Sequence, residues 1–388
     1  MPFTRFSPTI ACTRPFLLLV LLGCICFPRE VFARPAGIPD KKRIINLIVQ
    51  VNDNWQKAHS PLVNAFWDNA AYQTGNMEVY KLTGIEAYKD YSEKWATHNR
   101  WMGATSNDTA KWVYAYGETP NHVLFGDWQI CFQTYMDLYQ LDKQKDPSKI
   151  ARAEGVMNYQ MGTKAHDYWW WSDGLYMVMP VMTKLYRLTH DERYLRKLQT
   201  YFLYADSLMY DAEVGLYYRD AKYVFPKQPT ITGKKNFWSR GNGWVYAAFC
   251  KVLTDLPQKD PLRPLLIQRF ISLSKALKAS QQADGYWTRS LIDPTHAPGP
   301  ETSGTAFFTY GLCWGINHGL LSKKEYLPTV INAWNYLEKK ALQENKSIGF
   351  VQPIGENPSP TTTVSALSTS NFGTGAWLLA ACELTRIK

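Results

Sequence analysis

The sequence has few cysteines and none of the short motifs that would hold a metal ion or a dinucleotide. Seven cysteines occur in 388 residues, and three of them lie near the amino terminus. No Cys-x-x-Cys or His-Glu-x-x-His motif occurs, and no two histidines have the helical spacing of metal ligands. We therefore expect no metal and no cofactor. An exported protein could form one or two disulfides, but apolar flanking residues favour four buried thiols, at Cys131, Cys250, Cys313 and Cys382.

Charge runs and long apolar segments are also scarce. The chain has 43 Lys and Arg against 33 Asp and Glu, a net charge of +10, but no basic run and no RNA-binding signature. We therefore expect no nucleic-acid partner, and the basic balance suits an acidic substrate. The apolar run at 16–27 is too short to be a good membrane span, and no later apolar run is long enough to cross a bilayer.

Residues 1–33 have the pattern of a secretory signal peptide. Arg5 and Arg14 precede an apolar run at 16–27, and Ala33 offers a small residue at the cleavage position. A lipoprotein signal at Cys24 is a weaker alternative, because leucine is a poor fit beside Gly23. We expect an exported protein, periplasmic or extracellular, with one catalytic domain over residues 34–388.

A helix end recurs six times along this domain. Tyr-Lys-Leu-Thr at 80–83 and Tyr-Arg-Leu-Thr at 186–189 are the clearest copies, and capping boxes begin at Thr83, Thr189 and Ser322. Helix, tight turn and helix repeat six times, which predicts an all-α (α/α)6 barrel of six helical hairpins, with an open helical solenoid as the alternative. Segment 41–57 supplies the twelfth helix. The expected inner helices are 64–82, 124–141, 172–188, 242–254, 303–321 and 371–385.

Carboxylates and indoles recur where the inner helices begin, so one rim of the barrel is expected to carry the function. Asp68 is interpreted as a helix cap. Asp173 follows three tryptophans and Ser172, itself a good N-cap, so it is free for acid/base chemistry. Asp127 is the expected partner of Asp173.

The Gly-rich segment around Arg240 allows two interpretations. Arg240 could bond loop carbonyls or bind a substrate carboxylate. Trp171, Trp238 and Trp244 could belong to the core or stack on a sugar. His166 lies in the loop before Asp173 and is the histidine that we consider as a candidate for substrate binding.

Four segments occur in an order that resembles glycoside hydrolase family 105, the unsaturated rhamnogalacturonyl and related unsaturated glucuronyl hydrolases. They are residues 171–177, 237–244, 301–304 and 373–376. The resemblance implies the same barrel and the removal of a 4,5-unsaturated uronic acid from the non-reducing end of acidic oligosaccharides made by lyases. It assigns to Asp173 the protonation of C4, after which water adds at C5. Asp127 would remain ionised and stabilise the positive charge at C5.

Two departures from the family pattern concern the substrate. Asp127 is followed by Trp128 where the family often has paired acids, and Tyr217–Asp220 replaces a loop that often holds a histidine. Arg219 could therefore contact a more acidic neighbouring sugar. The expected substrate-binding residues are Trp171, Met177, Arg219, Trp238, Arg240, Trp244 and His166.

Two other functions remain open. An inverting hydrolase of saturated glycosides could use Asp127 and Asp173 as base and acid. A non-catalytic carbohydrate-binding protein would bind sugar without turnover. In each case we expect a monomer whose partner is the acidic oligosaccharide.

Overall fold

Helices alternate between an inner and an outer position along the whole domain. The computed structural model describes residues 37–104 and 124–388, and these contain twelve α-helices and one two-stranded antiparallel ribbon. The ribbon pairs β1 (Tyr210–Asp211) with β2 (Leu216–Tyr217). The helices are α1 (Lys41–Ala58), α2 (Trp67–Thr83), α3 (Glu86–His98), α4 (Cys131–Leu141), α5 (Ser148–Gly162), α6 (Ser172–Thr189), α7 (Arg193–Met209), α8 (Ser239–Asp255), α9 (Arg263–Ser280), α10 (Thr302–Asn317), α11 (Lys323–Tyr336) and α12 (Asn371–Leu384).

The even-numbered helices form a closed inner ring. Each packs against the next, and α12 closes the ring by contacting both α10 and α2. The odd-numbered helices pack outside, and α1 lies against α12 as the twelfth member. The predicted (α/α)6 barrel is confirmed.

The inner helices are mostly buried, and the last two of them carry little charge. Helix α10 has no charged residue, and α12 has one, Glu383. Backbones approach closely where α2 meets α12, because a Cβ atom on Gly75 would lie 2.5 Å from the Gly375 carbonyl oxygen. Glycine is therefore required for the contact that closes the ring.

The predicted capping boxes are wrong, although helices do begin nearby. The Thr83 and Thr189 hydroxyls each donate to a carbonyl one turn back, on Val79 and Leu185, both at 2.8 Å. Ser322 stands at the N-cap of α11 without a side-chain cap bond. Near a helix end, a threonine hydroxyl can donate to the carbonyl one turn back instead of capping the next helix, and both threonines do so here.

The inner helices all run in one direction, which separates two rims. Asn371, at the start of α12, donates to Asp68, at the start of α2, over 3.3 Å. At the other rim, Arg187 near the end of α6 pairs with Asp255 at the end of α8 over 2.7 Å. The aspartates singled out in the sequence therefore belong to the rim of helix starts.

The four cysteines of the domain are free and buried, as predicted: Cys131, Cys250, Cys313 and Cys382. Within the described ranges, every helix is too short or too polar to cross a membrane.

Candidate active site

Asp173 is fixed by the junction between the third inner helix and the loop after α7. Trp171 is the N-cap of α6, so Ser172 is its first helical residue and not the cap expected from the sequence. The Ser172 backbone N–H donates to the Arg219 carbonyl over 2.7 Å, and its hydroxyl donates to Asp173 Oδ2 over 3.0 Å. Burial raises the pKa of Asp173, while Arg219 and this hydroxyl act to lower it.

Asp127 approaches α6 because the residue before it is glycine. Gly126–Trp128 is a short 3-10 helix, which explains why α4 begins at Cys131 and not at 124. A Cβ atom on Gly126 would lie 3.0 Å from Val178 Cγ2, so a larger residue would push this turn away from α6.

The proton affinity of Asp127 differs from the sequence prediction. The pKa of Asp127 is raised to about 8, mainly by burial and in addition by the nearby carboxylates of Asp173 and Asp68, against an opposing effect of Arg219. We expected this group to be ionised. With this pKa, Asp127 is instead protonated at neutral pH, because the turn partly shields the carboxyl from water and places it next to other acids.

Asp68 is a third carboxyl of this cluster, although its place in the sequence suggested a helix cap. It lies in the first turn of α2, where Phe66 is the N-cap and has no side-chain cap bond. Burial raises the pKa of Asp68 despite hydrogen bonds that lower it, including the one from Asn371. The sequence feature that could have indicated this role is its position at the start of an inner helix, which Asp173 shares.

Arg219 is the cation closest to the acid pair among the contacts described. Its Nε lies 3.9 Å from Asp173 Oδ2, and its Nη1 forms an ion pair with Asp220. The guanidinium carbon stands 5.4 Å from the centre of the Trp170 ring. Arg219 is thus the predicted substrate contact that the structure brings next to Asp173.

Arg240 lies beneath the site and not in its opening. The residue is 1% exposed, and its two terminal nitrogens donate to the carbonyls of Gln352 at 2.5 Å and Pro353 at 2.8 Å. Trp238 packs against it at 4.6 Å and donates to the Gln352 side chain over 2.8 Å. This arrangement favours the carbonyl-bonding interpretation of Arg240, with Trp238 fixing the same loop.

The residues that hold this loop in place were not predicted from the sequence. Glu301, which was quoted only as part of a motif, is buried and accepts from the backbone N–H groups of Ser303, Gly304 and Gln352. Glu356, on the same loop as Gln352, lies 3.6 Å from Arg219 Nη1. The long loop before α12 has no periodicity that could have indicated either contact.

The remaining predicted substrate contacts are buried side chains, with one exception. Trp171 stacks on Phe125 with ring centres 5.0 Å apart, and Met177 packs against Gly126. Trp244 is fully buried beside Phe307, 4.4 Å away. These three side chains are therefore buried packing residues.

His166 is exposed, and its ring contacts Tyr204 on the outer helix α7. Among the described residues no contact joins His166 to the carboxyl cluster. The same part of the chain shows no group of three or more His, Cys, Asp and Glu side chains arranged to hold a metal ion.

A family comparison agrees with this geometry. The model of Glycosyl Hydrolase Family 88 matches residues 40–388, nearly the whole described domain. The chain belongs to glycosyl hydrolase family 88. It is therefore a glycoside hydrolase, and the resemblance drawn from its motifs is confirmed.

Individual relatives agree with the family assignment. An unsaturated 3S-rhamnoglycuronyl hydrolase from Formosa agariphila is 31% identical over 354 residues, covering 86% of this chain and 88% of the relative. A solved glycosyl hydrolase family 88 protein from Bacteroides vulgatus is 57% identical, with a TM-score of 0.85 over 90% of this chain and 99% of its own. A second solved structure, described as a polysaccharide lyase, is 58% identical with a TM-score of 0.84 over 89% and 97% of the two chains.

Proposed function

We propose that this hydrolase removes a 4,5-unsaturated uronic acid from the non-reducing end of lyase-generated acidic oligosaccharides. The observation that carries the proposal is the half-buried pair Asp173 and Asp127, both with raised pKa, beside Arg219 at the rim of a family 88 barrel. The relative from Formosa agariphila bears the name of a hydrolase of unsaturated uronyl sugars, which supports the same substrate class.

The reaction needs a proton donor more than it needs a nucleophile. The sugar has a double bond between C4 and C5 that is conjugated with its carboxylate. Addition of a proton at C4 leaves positive charge at C5, and water adds there. The hemiketal then opens, the C1 hemiacetal collapses, and the neighbouring sugar is released with its hydroxyl group.

The two carboxyls supply that proton as a pair. Because Asp127 lies close enough to Asp173 for their charges to interact, the two groups lose their protons in steps that belong to both. One proton stays in the site up to about pH 8. We assign its delivery to C4 to Asp173, whose carboxylate then takes a proton from the attacking water.

Asp127 keeps a different task in this proposal. As the group with the pKa of about 8, it holds the shared proton between turnovers. It passes this proton to Asp173 before C4 is protonated, and it regains a proton from Asp173 after Asp173 has taken one from water. Arg219 attracts the anionic substrate and limits the rise in the pKa of Asp173.

A direct test follows the absorbance of the conjugated enol ether. Purified protein is incubated with lyase-generated oligosaccharides from pectin, glycosaminoglycans and ulvan, and hydration of the double bond erases the ultraviolet signal. We expect the absorbance to fall with the wild type and not with a folded Asp173→Asn variant. A lyase would create double bonds, so a rise in absorbance on intact polysaccharide would contradict the proposal.

The two alternatives give different results in the same assay. An inverting hydrolase of saturated glycosides releases sugar from saturated oligosaccharides of equal length and leaves the absorbance unchanged. A binding protein shows affinity without turnover of either substrate. Loss of absorbance on a single unsaturated substrate would exclude both.

We further propose that residues 1–33 direct export to the periplasm or outside the cell, and that the mature protein is a monomer. Amino-terminal sequencing of the protein recovered from the cell envelope or the medium tests the cleavage after Ala33. Lipid attachment at Cys24 would instead give a membrane-bound mature protein. Light scattering gives the oligomeric state.

A further inference from the structure

A line of charged side chains leads outward from Asp173 to the solvent. Arg219 contacts Asp173 on its inner side, and its Nη1 lies 3.6 Å from Glu356 Oε2 on its outer side. Lys222 Nζ lies 3.6 Å from the same glutamate oxygen. The side chains become more exposed along this line, from 15% for Arg219 to 47% for Glu356 and 58% for Lys222. These side chains therefore connect the surroundings of Asp173 to the protein surface.

Arg219 does not depend on Glu356 for its position. Asp220 is 2% exposed and bonds both Arg219 Nη1 and the Lys222 backbone N–H, the latter at 2.7 Å. The Arg219 carbonyl is fixed by Ser172. The arginine would therefore keep its orientation if Glu356 moved away.

Glu356 holds its two cations loosely. Both ion pairs are longer than a hydrogen bond, and the one short contact of its carboxylate, 3.1 Å, comes from the Tyr223 hydroxyl. The Arg219 Nε is buried and makes no hydrogen bond. Glu356 is thus a half-exposed counter-charge for Lys222 and for the outer side of Arg219. Arg219 also contacts Asp173 and Asp220, and its Nε–H group remains without a hydrogen bond.

We propose that Arg219 and Lys222 form a subsite for an anionic substituent on the sugar next to the unsaturated uronate, and that Glu356 is the counter-charge that this substituent displaces. The proposal rests on the proposed function, because it needs the uronate at Asp173. A sulfate ester or a carboxylate offers the oxygen atoms that both cations accept. A neutral sugar leaves Glu356 in place, so it gains nothing from the two cations.

The test measures binding to the Asp173→Asn protein, which does not require turnover. The ligands are three unsaturated disaccharides whose second sugar carries a sulfate ester, a carboxylate or hydroxyl groups alone. Lys222→Met is added to this background, and Lys275→Met, which removes an exposed charge from the outer helix α9, is the matched control.

We expect Lys222→Met to weaken binding of the anionic ligands about five- to tenfold and that of the neutral ligand less than about twofold. Glu356→Gln should tighten binding of the anionic ligands about two- to fivefold, because it removes their competitor. Lys275→Met should change none of the three. The anionic ligand that responds identifies the substituent.

Equal weakening of all three ligands by Lys222→Met would overturn the subsite, and so would weaker binding of the anionic ligands by Glu356→Gln. Binding of none of the ligands would also overturn it. Wild-type protein that leaves the absorbance of all three disaccharides unchanged would refute the proposed function instead, while the binding measurements still decide the subsite.

Discussion

Replacement of Asp127 by asparagine should stabilise the folded chain at neutral pH while it abolishes turnover. The pKa of Asp127 is about 8 in the folded chain and close to 3.8 when the chain is unfolded. At pH 7 the unfolded state therefore gains an ionised carboxylate that the folded state must keep neutral. This difference favours unfolding, and asparagine removes it because it has no proton to lose.

The size of the effect follows from the pH interval. Each pH unit between the two pKa values contributes about 1.4 kcal/mol, so the interval of about three units up to pH 7 corresponds to about 4 kcal/mol. This value is an upper bound, because the Asp127 side chain is only partly shielded from water. We expect a gain of about 2 kcal/mol for the variant at pH 7. The penalty is absent below the unfolded pKa and reaches its full size above pH 8.

Urea unfolding of wild type and Asp127→Asn at several pH values between 4 and 9 measures the difference directly. The variant should match the wild type near pH 4 and become progressively more stable as the pH rises. Asp90→Asn, which changes an exposed aspartate on α3, should show no such trend. A constant difference, or a variant less stable than wild type at pH 8, would refute the assignment of a raised pKa to Asp127.

Two further predictions concern packing and proton affinity. Gly75→Ala should lower the free energy of unfolding by about 2 kcal/mol, because its Cβ meets the Gly375 carbonyl. Gly155→Ala is the control and should not destabilise the protein, because its Cβ has no neighbour within 4 Å. Equal urea midpoints for the two variants would contradict this prediction. Arg219→Met removes the cation that lowers the pKa of Asp173, so the limb of the pH profile of kcat/KM that reports this acid should move to higher pH. An unmoved limb would show that Arg219 does not set that pKa.

The barrel could be predicted because its signal is repeated. Each inner helix ends at a polar stop, and the first five are followed by another helix, so an error in one copy could be corrected from the others. The predicted start of α8 was three residues too late, because Ser239 and Arg240 were taken to be part of a loop. The start of α4 was missed because a Gly-Asp-Trp turn satisfies local hydrogen bonds as a 3-10 helix.

The pair Asp173 and Asp127 could be found from the sequence because the inner-helix starts share a rim. The protonation state of the pair could not be predicted from the sequence, because the pKa of Asp127 depends on burial and on two acids distant in sequence, Asp173 and Asp68. The burial of Arg240 was likewise invisible, since its carbonyl partners lie more than a hundred residues away. Glu356 is fixed only by tertiary contacts.

The central claim is that Asp173 delivers a proton to the double bond of an unsaturated uronate. The measurement that tests it most directly is the ultraviolet absorbance of lyase-generated oligosaccharides incubated with wild type and with Asp173→Asn of equal thermal stability. The account predicts complete loss of absorbance with the wild type and none with the variant. Loss of absorbance at an unchanged rate with the folded variant would contradict it.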